Sequence, residues 1–178
     1  MFKNPFQVAV SFAVVALIIK LTIFSLNMQH GDMGTYIPYI YMFILLTAVF
    51  FGIRSNKLTH ENTTTFGQDF RAGARTAAFF AILVAGITYV YYAQIDIEFF
   101  NTKKAEYLAL YETSLSDLVK EKGLETAKKD ALNKVIGINT IYSPFSQSSY
   151  TLLGLVFMGM FNALVFAFMM NRFPGFKK

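Results

Sequence analysis

Four apolar runs constrain this chain more than any other feature: Phe6 to Leu26, Ile37 to Ile53, Thr76 to Ile95 and Tyr150 to Met170. A helix rises about 1.5 Å per residue, so roughly 20 apolar residues cross about 30 Å of hydrocarbon. The expected fold class is therefore all-α, a polytopic membrane protein with four transmembrane helices at about 6–26, 37–53, 76–95 and 150–170. An extramembrane helical segment, an insertion at about 96–149, lies between the third and fourth spans. Soluble chains carry about 25% charged residues, whereas this one carries 15% with 54% hydrophobic, so the apolar excess needs a lipid environment. What lies outside the spans is split over two ends and three connections, too little for a second globular core, and a single membrane domain over 1–178 is expected.

Lys3 ahead of the first run raises the question of a cleaved leader. The run is long, carries Lys20 and ends in Phe24-Ser25-Leu26-Asn27 without a small-x-small pattern, so it reads as a mature helix. Cysteine is absent, which excludes disulfides, thiolate metal sites and thiol nucleophiles. His30 and His60 fall in different connections, expected on opposite faces of the membrane, which argues against a shared metal. No nucleophile and base pair, metal cluster or pair of intramembrane carboxylates can be assembled, so catalytic, cofactor-binding and metal residues are all read as none.

Basic residues set the expected orientation. Lys3 precedes the first span, Asn27 to Tyr36 has no Lys or Arg, the second connection has Arg54, Lys57, Arg71 and Arg75, and the tail has Arg172, Lys177 and Lys178. The positive-inside rule then places both termini and the second connection in the cytoplasm. Residues 96–149 carry seven lysines against eight acids in a long connection, which weakens their vote and leaves them external, or periplasmic in a bacterial inner membrane. The near balance also argues against a nucleic-acid surface. Tyr36, Tyr39 and Tyr41, and again Tyr89, Tyr91 and Tyr92, sit where rings favour the outer headgroup level. Pro38 is expected in the first turn of its helix, and Asn62-Thr63-Thr64 is a chance glycosylation match on the cytoplasmic side.

Thr65-x-x-Gln68 has the form of a capping box, with Asp69 in the first turn, where the helix dipole favours an anion. Arg71 and Arg75, four apart, then form a candidate lipid-headgroup contact on an interfacial turn. Gly73, Ala77, Ala81 and Ala85 recur every four residues as a candidate helix-packing face, with Gly159 and Ala163 in the fourth span and Ala9 and Ala13 in the first. Lipid supplies no hydrophobic drive to pair helices, and flat faces let backbones approach. Lys20 is expected to snorkel to the outer interface, with no acid in any span to pair with it, and Asn162 to make an interhelical hydrogen bond.

In the external segment, Asn101 to Lys122 places Tyr107, Leu108, Tyr111, Leu115, Leu118 and Val119 on one helical stripe. Gly123 is a stop, and Leu124, Ala127, Ala131, Leu132 and Val135 describe a second amphipathic helix ending before Gly137. Leu108, Tyr111, Leu115 and Leu118 are the candidate partner contact, whether toward the second helix, the outer leaflet or another protein.

The four spans, the stretch Thr65-Phe66-Gly67-Gln68-Asp69-Phe70-Arg71-Ala72-Gly73, the long helical connection and a Gly-bearing last span ending in basic residues together resemble a family of small bacterial membrane proteins. That family is common in Bacteroidetes and catalogued as a domain of unknown function (the 4199 family). The resemblance implies location and architecture over nearly the whole chain and supplies no reaction. The function expected from the residues is a noncatalytic inner-membrane accessory or scaffold subunit, without cofactor, whose partners are the bilayer and a membrane protein or a second copy of itself. The rival is a small oligomeric transporter or channel.

Overall fold

Backbone amides cannot be left bare in hydrocarbon, and the chain answers with helices throughout. The computed structural model describes residues 4–29, 32–122 and 124–173, with side chains of all but 32–35, 110 and 112–122. The helices are α1 (Pro5–Ser25), α2 (Asp32–Thr59), α3 (Phe66–Val90), α4 (Glu98–Lys122), α5 (Leu124–Ile141) and α6 (Pro144–Arg172), with a π-helical turn (Tyr91–Ile95) ending α3. Four are long and apolar enough to cross a membrane: Pro5–Ser25, Tyr36–Thr59, Phe66–Ile95 and Pro144–Arg172. Lys3, His30, Gly123, Lys177 and Lys178, and the side chains of Leu115, Leu118 and Val119, lie outside the described residues.

Local chemistry sets the ends. Asn4 caps α1 by accepting the Gln7 amide at 2.9 Å, and Pro5 follows at a position where a missing N–H is harmless. At the other end Asn27 turns left-handed (φ 54°), with the Met28 amide on the Ile23 carbonyl and the Asn27 amide on the Phe24 carbonyl. This double bond pattern is a Schellman stop, and asparagine tolerates the conformation better than most residues. The capping box before α3 is formed as expected: the Thr65 amide donates to Gln68 Oε1 at 2.8 Å and the Gln68 amide to Thr65 Oγ1 at 3.4 Å. Ser143 Oγ accepts the Ser146 amide at 3.2 Å ahead of Pro144, so α6 starts earlier than the apolar run at Tyr150 indicates.

Two expectations need correction. Pro38 lies inside α2, because that helix begins at Asp32. α5 continues through Gly137 to Ile141; one helical glycine costs about 1 kcal/mol relative to alanine, which neighbouring turns can absorb.

By its internal contacts the chain divides into two compact units, residues 1–87 with 150–178, and residues 88–149. In the first, α1, α2, α3 and α6 fill a common core with Val8, Leu45, Val49, Ile53, Phe80, Val84, Ala163 and Ala167. Large apolar side chains also face outward, Phe157 at 77% and Phe43 at 71% exposure, a distribution suited to lipid contact. Gly73, Ala77, Ala81 and Ala85 are all buried. A Cβ on Gly73 would come within 2.9 Å of the Ala163 Cβ, and one on Gly159 would collide with the Ala77 Cβ, so α3 and α6 meet nearly backbone to backbone. The Thr76 side chain similarly fills the place that a Cβ on Gly52 would take, a close approach of α2 and α3 that the four-residue pattern does not show. Ala9 and Ala13 of α1 are buried as well.

In the second unit α4 and α5 pack on each other. The Tyr107 and Tyr142 rings stack at 4.9 Å, and Tyr111 shares a cleft with Gly137, Ile138 and Ile141. As the α4 number rises its α5 partner falls, so the pair is an antiparallel hairpin. At its base Tyr92 touches Phe99 and Phe100 at 5.0 and 4.8 Å, and the Tyr91 hydroxyl donates to buried Asp96 at 3.2 Å.

Candidate functional site

The most unusual chemistry of the membrane unit lies where the α2–α3 turn meets the last turn of α6. Lys57, in the last turn of α2, places Nζ 2.7 Å from Asp69 Oδ2 in the first turn of α3, and both side chains are buried. Each charge complements the dipole of its own helix end, cation at the C-terminus and anion at the N-terminus. Asn171, in the last turn of α6, donates to the same oxygen at 2.7 Å and to the Ala167 carbonyl at 2.9 Å. Lys57 also donates to Thr64 Oγ1 at 3.2 Å. Three helix ends thus converge on one carboxylate oxygen, while Asp69 Oδ1 is buried without a hydrogen-bond partner.

The pair joins two residues that the apolar runs leave in the second connection. Helices α2 and α3 run farther than the apolar runs, to Thr59 and from Phe66, and carry Lys57 and Asp69 inside. Window hydropathy treats each charge as an end signal, whereas mutual neutralisation lets both be buried. Lys20 also departs from the snorkelling expectation: it is 2% exposed, with its ammonium 6.0 Å from the centre of the Tyr41 ring. Tyr36, Tyr39 and Tyr89 are exposed, but Tyr41, Tyr91 and Tyr92 are buried. Asn162 is partly buried with Nδ2 lacking a hydrogen-bond partner, so the expected interhelical bond is not made by that nitrogen.

Beside the ion pair, a cleft of about 250 Å³ is lined by Pro5, Asn56, His60, Gln68, Arg71 and Arg75. The structure thus brings His60 to the two arginines, which the sequence had linked only to each other. His60 Nδ1 lies 2.9 Å from the Asn56 carbonyl. Of the proposed contact stripe on α4, Leu108 is half-buried and Tyr111 faces α5; the rest lies outside the described side chains. Among the described residues no group of three His, Cys, Asp or Glu side chains is placed to hold a metal ion.

What this arrangement can do is hold helix ends in register and present cationic donors to an anion. No curated protein and no solved structure matches the chain. A family model does match, over residues 7–172, and the chain belongs to that family, described as a protein of unknown function (DUF4199).

Proposed function

We propose that this multi-span membrane protein is a noncatalytic accessory or scaffold subunit of a membrane complex, and that it meets a membrane-protein partner through the α4–α5 hairpin. The observation that carries the reading is the set of large apolar side chains left exposed on α5, interleaved with the Glu125–Lys128 ion pair. Leu124, Leu132 and Ile136 are 55%, 60% and 55% exposed and fall within one side of the helix. On α4, Tyr111 shares a cleft with α5, and these exposed α5 side chains offer a surface for a partner. Burying each such side chain is worth about 1.5–3 kcal/mol, so a few of them decide docking.

The setting proposed is a bacterial inner membrane with both termini and the α2–α3 turn in the cytoplasm and residues 96–149 periplasmic, on the strength of the basic flanks. A small oligomeric transporter or channel is the second reading, and the buried Lys57–Asp69 pair at the ends of two candidate spans is what favours it, since paired ionisable groups in membrane proteins often mark ion pathways. Copurification in mild detergent with mass spectrometry tests the first reading. A stoichiometric partner that is lost in Leu132→Asp is expected; a lone homo-oligomer that carries flux in liposomes would replace this reading with the second.

A further inference from the structure

We propose that the cleft formed by His60, Gln68, Arg71 and Arg75 binds the phosphate of an anionic phospholipid headgroup. Gln68, Arg71 and Arg75 are spaced three and four apart and share one side of α3. Both arginines are exposed, and among the described residues no carboxylate lines the cleft. Of the two acids close by in sequence, Asp69 is fully buried and neutralised by Lys57, and Glu61 sits in the turn outside the cleft. Gln68 Oε1 accepts from the Thr65 amide, which leaves the Gln68 side-chain N–H groups as donors. The lining therefore offers guanidinium forks and neutral donors, the set that suits a phosphate oxyanion.

Position identifies the source. Pro5 is the first residue of one candidate span, Asn56 lies near the end of the next, and Arg71 and Arg75 lie in the opening turns of the third. The cleft is thus at the level where spans leave the hydrocarbon and lipid phosphates reside. Its volume of about 250 Å³ falls below the roughly 300–1,000 Å³ of sites for drug-sized ligands and matches a headgroup phosphate better than a nucleotide.

The test must separate a site from diffuse attraction to an anionic surface, so the decisive variant keeps the charge. Arg71→Lys/Arg75→Lys retains both positive charges but loses the planar forks. Wild-type protein reconstituted in phosphatidylcholine nanodiscs doped with phosphatidylglycerol, then extracted into neutral detergent, is expected to retain a single phosphatidylglycerol by native mass spectrometry. The lysine variant should bind it at least about tenfold more weakly, as expected for lost charge-assisted bonds. Arg54→Lys, exposed but outside the cleft, should retain it fully. Melting in phosphatidylcholine alone checks that the variants fold as wild type does. Equal retention by wild type and the double lysine variant overturns the proposal in favour of diffuse attraction. A thermal shift with inorganic phosphate alone, without lipid retention, overturns it in favour of a free-anion site.

Discussion

Asp69 Oδ2 takes two short bonds, from Lys57 and Asn171, while its other oxygen has none, so one carboxylate is at once strongly held and incompletely satisfied. Removing one partner of a buried pair typically costs about 3–5 kcal/mol, because the remaining charge stays buried without compensation. Asp69→Asn should lose stability on that scale in denaturant titration of the detergent-solubilised protein, whereas Lys57→Met/Asp69→Leu should lose much less. If Asp69→Asn is as stable as wild type, the pair does not brace the bundle. Little of this cluster could be read from the sequence. Lys57 and Asp69 each looked like an ordinary helix-end charge, and Asn171 lies 102 residues from Asp69, a separation across which no local pattern reports contact. Arg71 and Arg75 were legible as a pair through their spacing of four, but His60 joins them through the fold of the α2–α3 turn.

Among the elements, the most readable were those fixed by neighbours in sequence. Thr65 and Gln68 make their reciprocal capping bonds three residues apart, and the small residues of α3 recur every turn, so local spacing was sufficient to find both. Gly52 against Thr76 was not readable, since a single glycine carries no period. Ala81 is fully buried in this face and Ala78 only half-buried, so Ala81→Leu should cost about 1–3 kcal/mol through overpacking and Ala78→Leu less. Equal stability of the two variants in detergent would mean that the face is misassigned. In the hairpin, Tyr142 has its pKa pushed up from 10.0 to about 12, first by its hydrogen bond with Tyr107, then by burial and by the charge Tyr107 would carry. A raised pKa favours the neutral phenol, so this contact is complete below pH 10.0 and declines as pH climbs toward 12. Tyr107→Phe should return the ionisation of Tyr142 toward the ordinary value, read by fluorine resonance of a fluorotyrosine at that position. An unchanged titration would place the two rings apart.

At the scale of the whole molecule, hydropathy located all four spans because it averages over many residues and tolerates isolated charges, and it shortened them where Lys57 and Asp69 sit. The α4–α5 hairpin was legible as two amphipathic helices, but not as a pair covering each other, since either stripe alone could equally have faced lipid or another protein. The central proposal is that the four candidate spans cross the bilayer, which by their even alternation would put residues 96–149 on the side opposite the α2–α3 turn. Glu61, in the turn, and Glu125, on α5, are exposed and separated in the chain by one candidate span, and the cysteine-free background allows a single cysteine at either. Treating intact spheroplasts with an impermeant maleimide should label Glu125→Cys and leave Glu61→Cys unlabelled until the cells are lysed. Labelling of both positions in intact spheroplasts would contradict the crossing between them, and labelling of Glu61→Cys alone would contradict the proposed orientation.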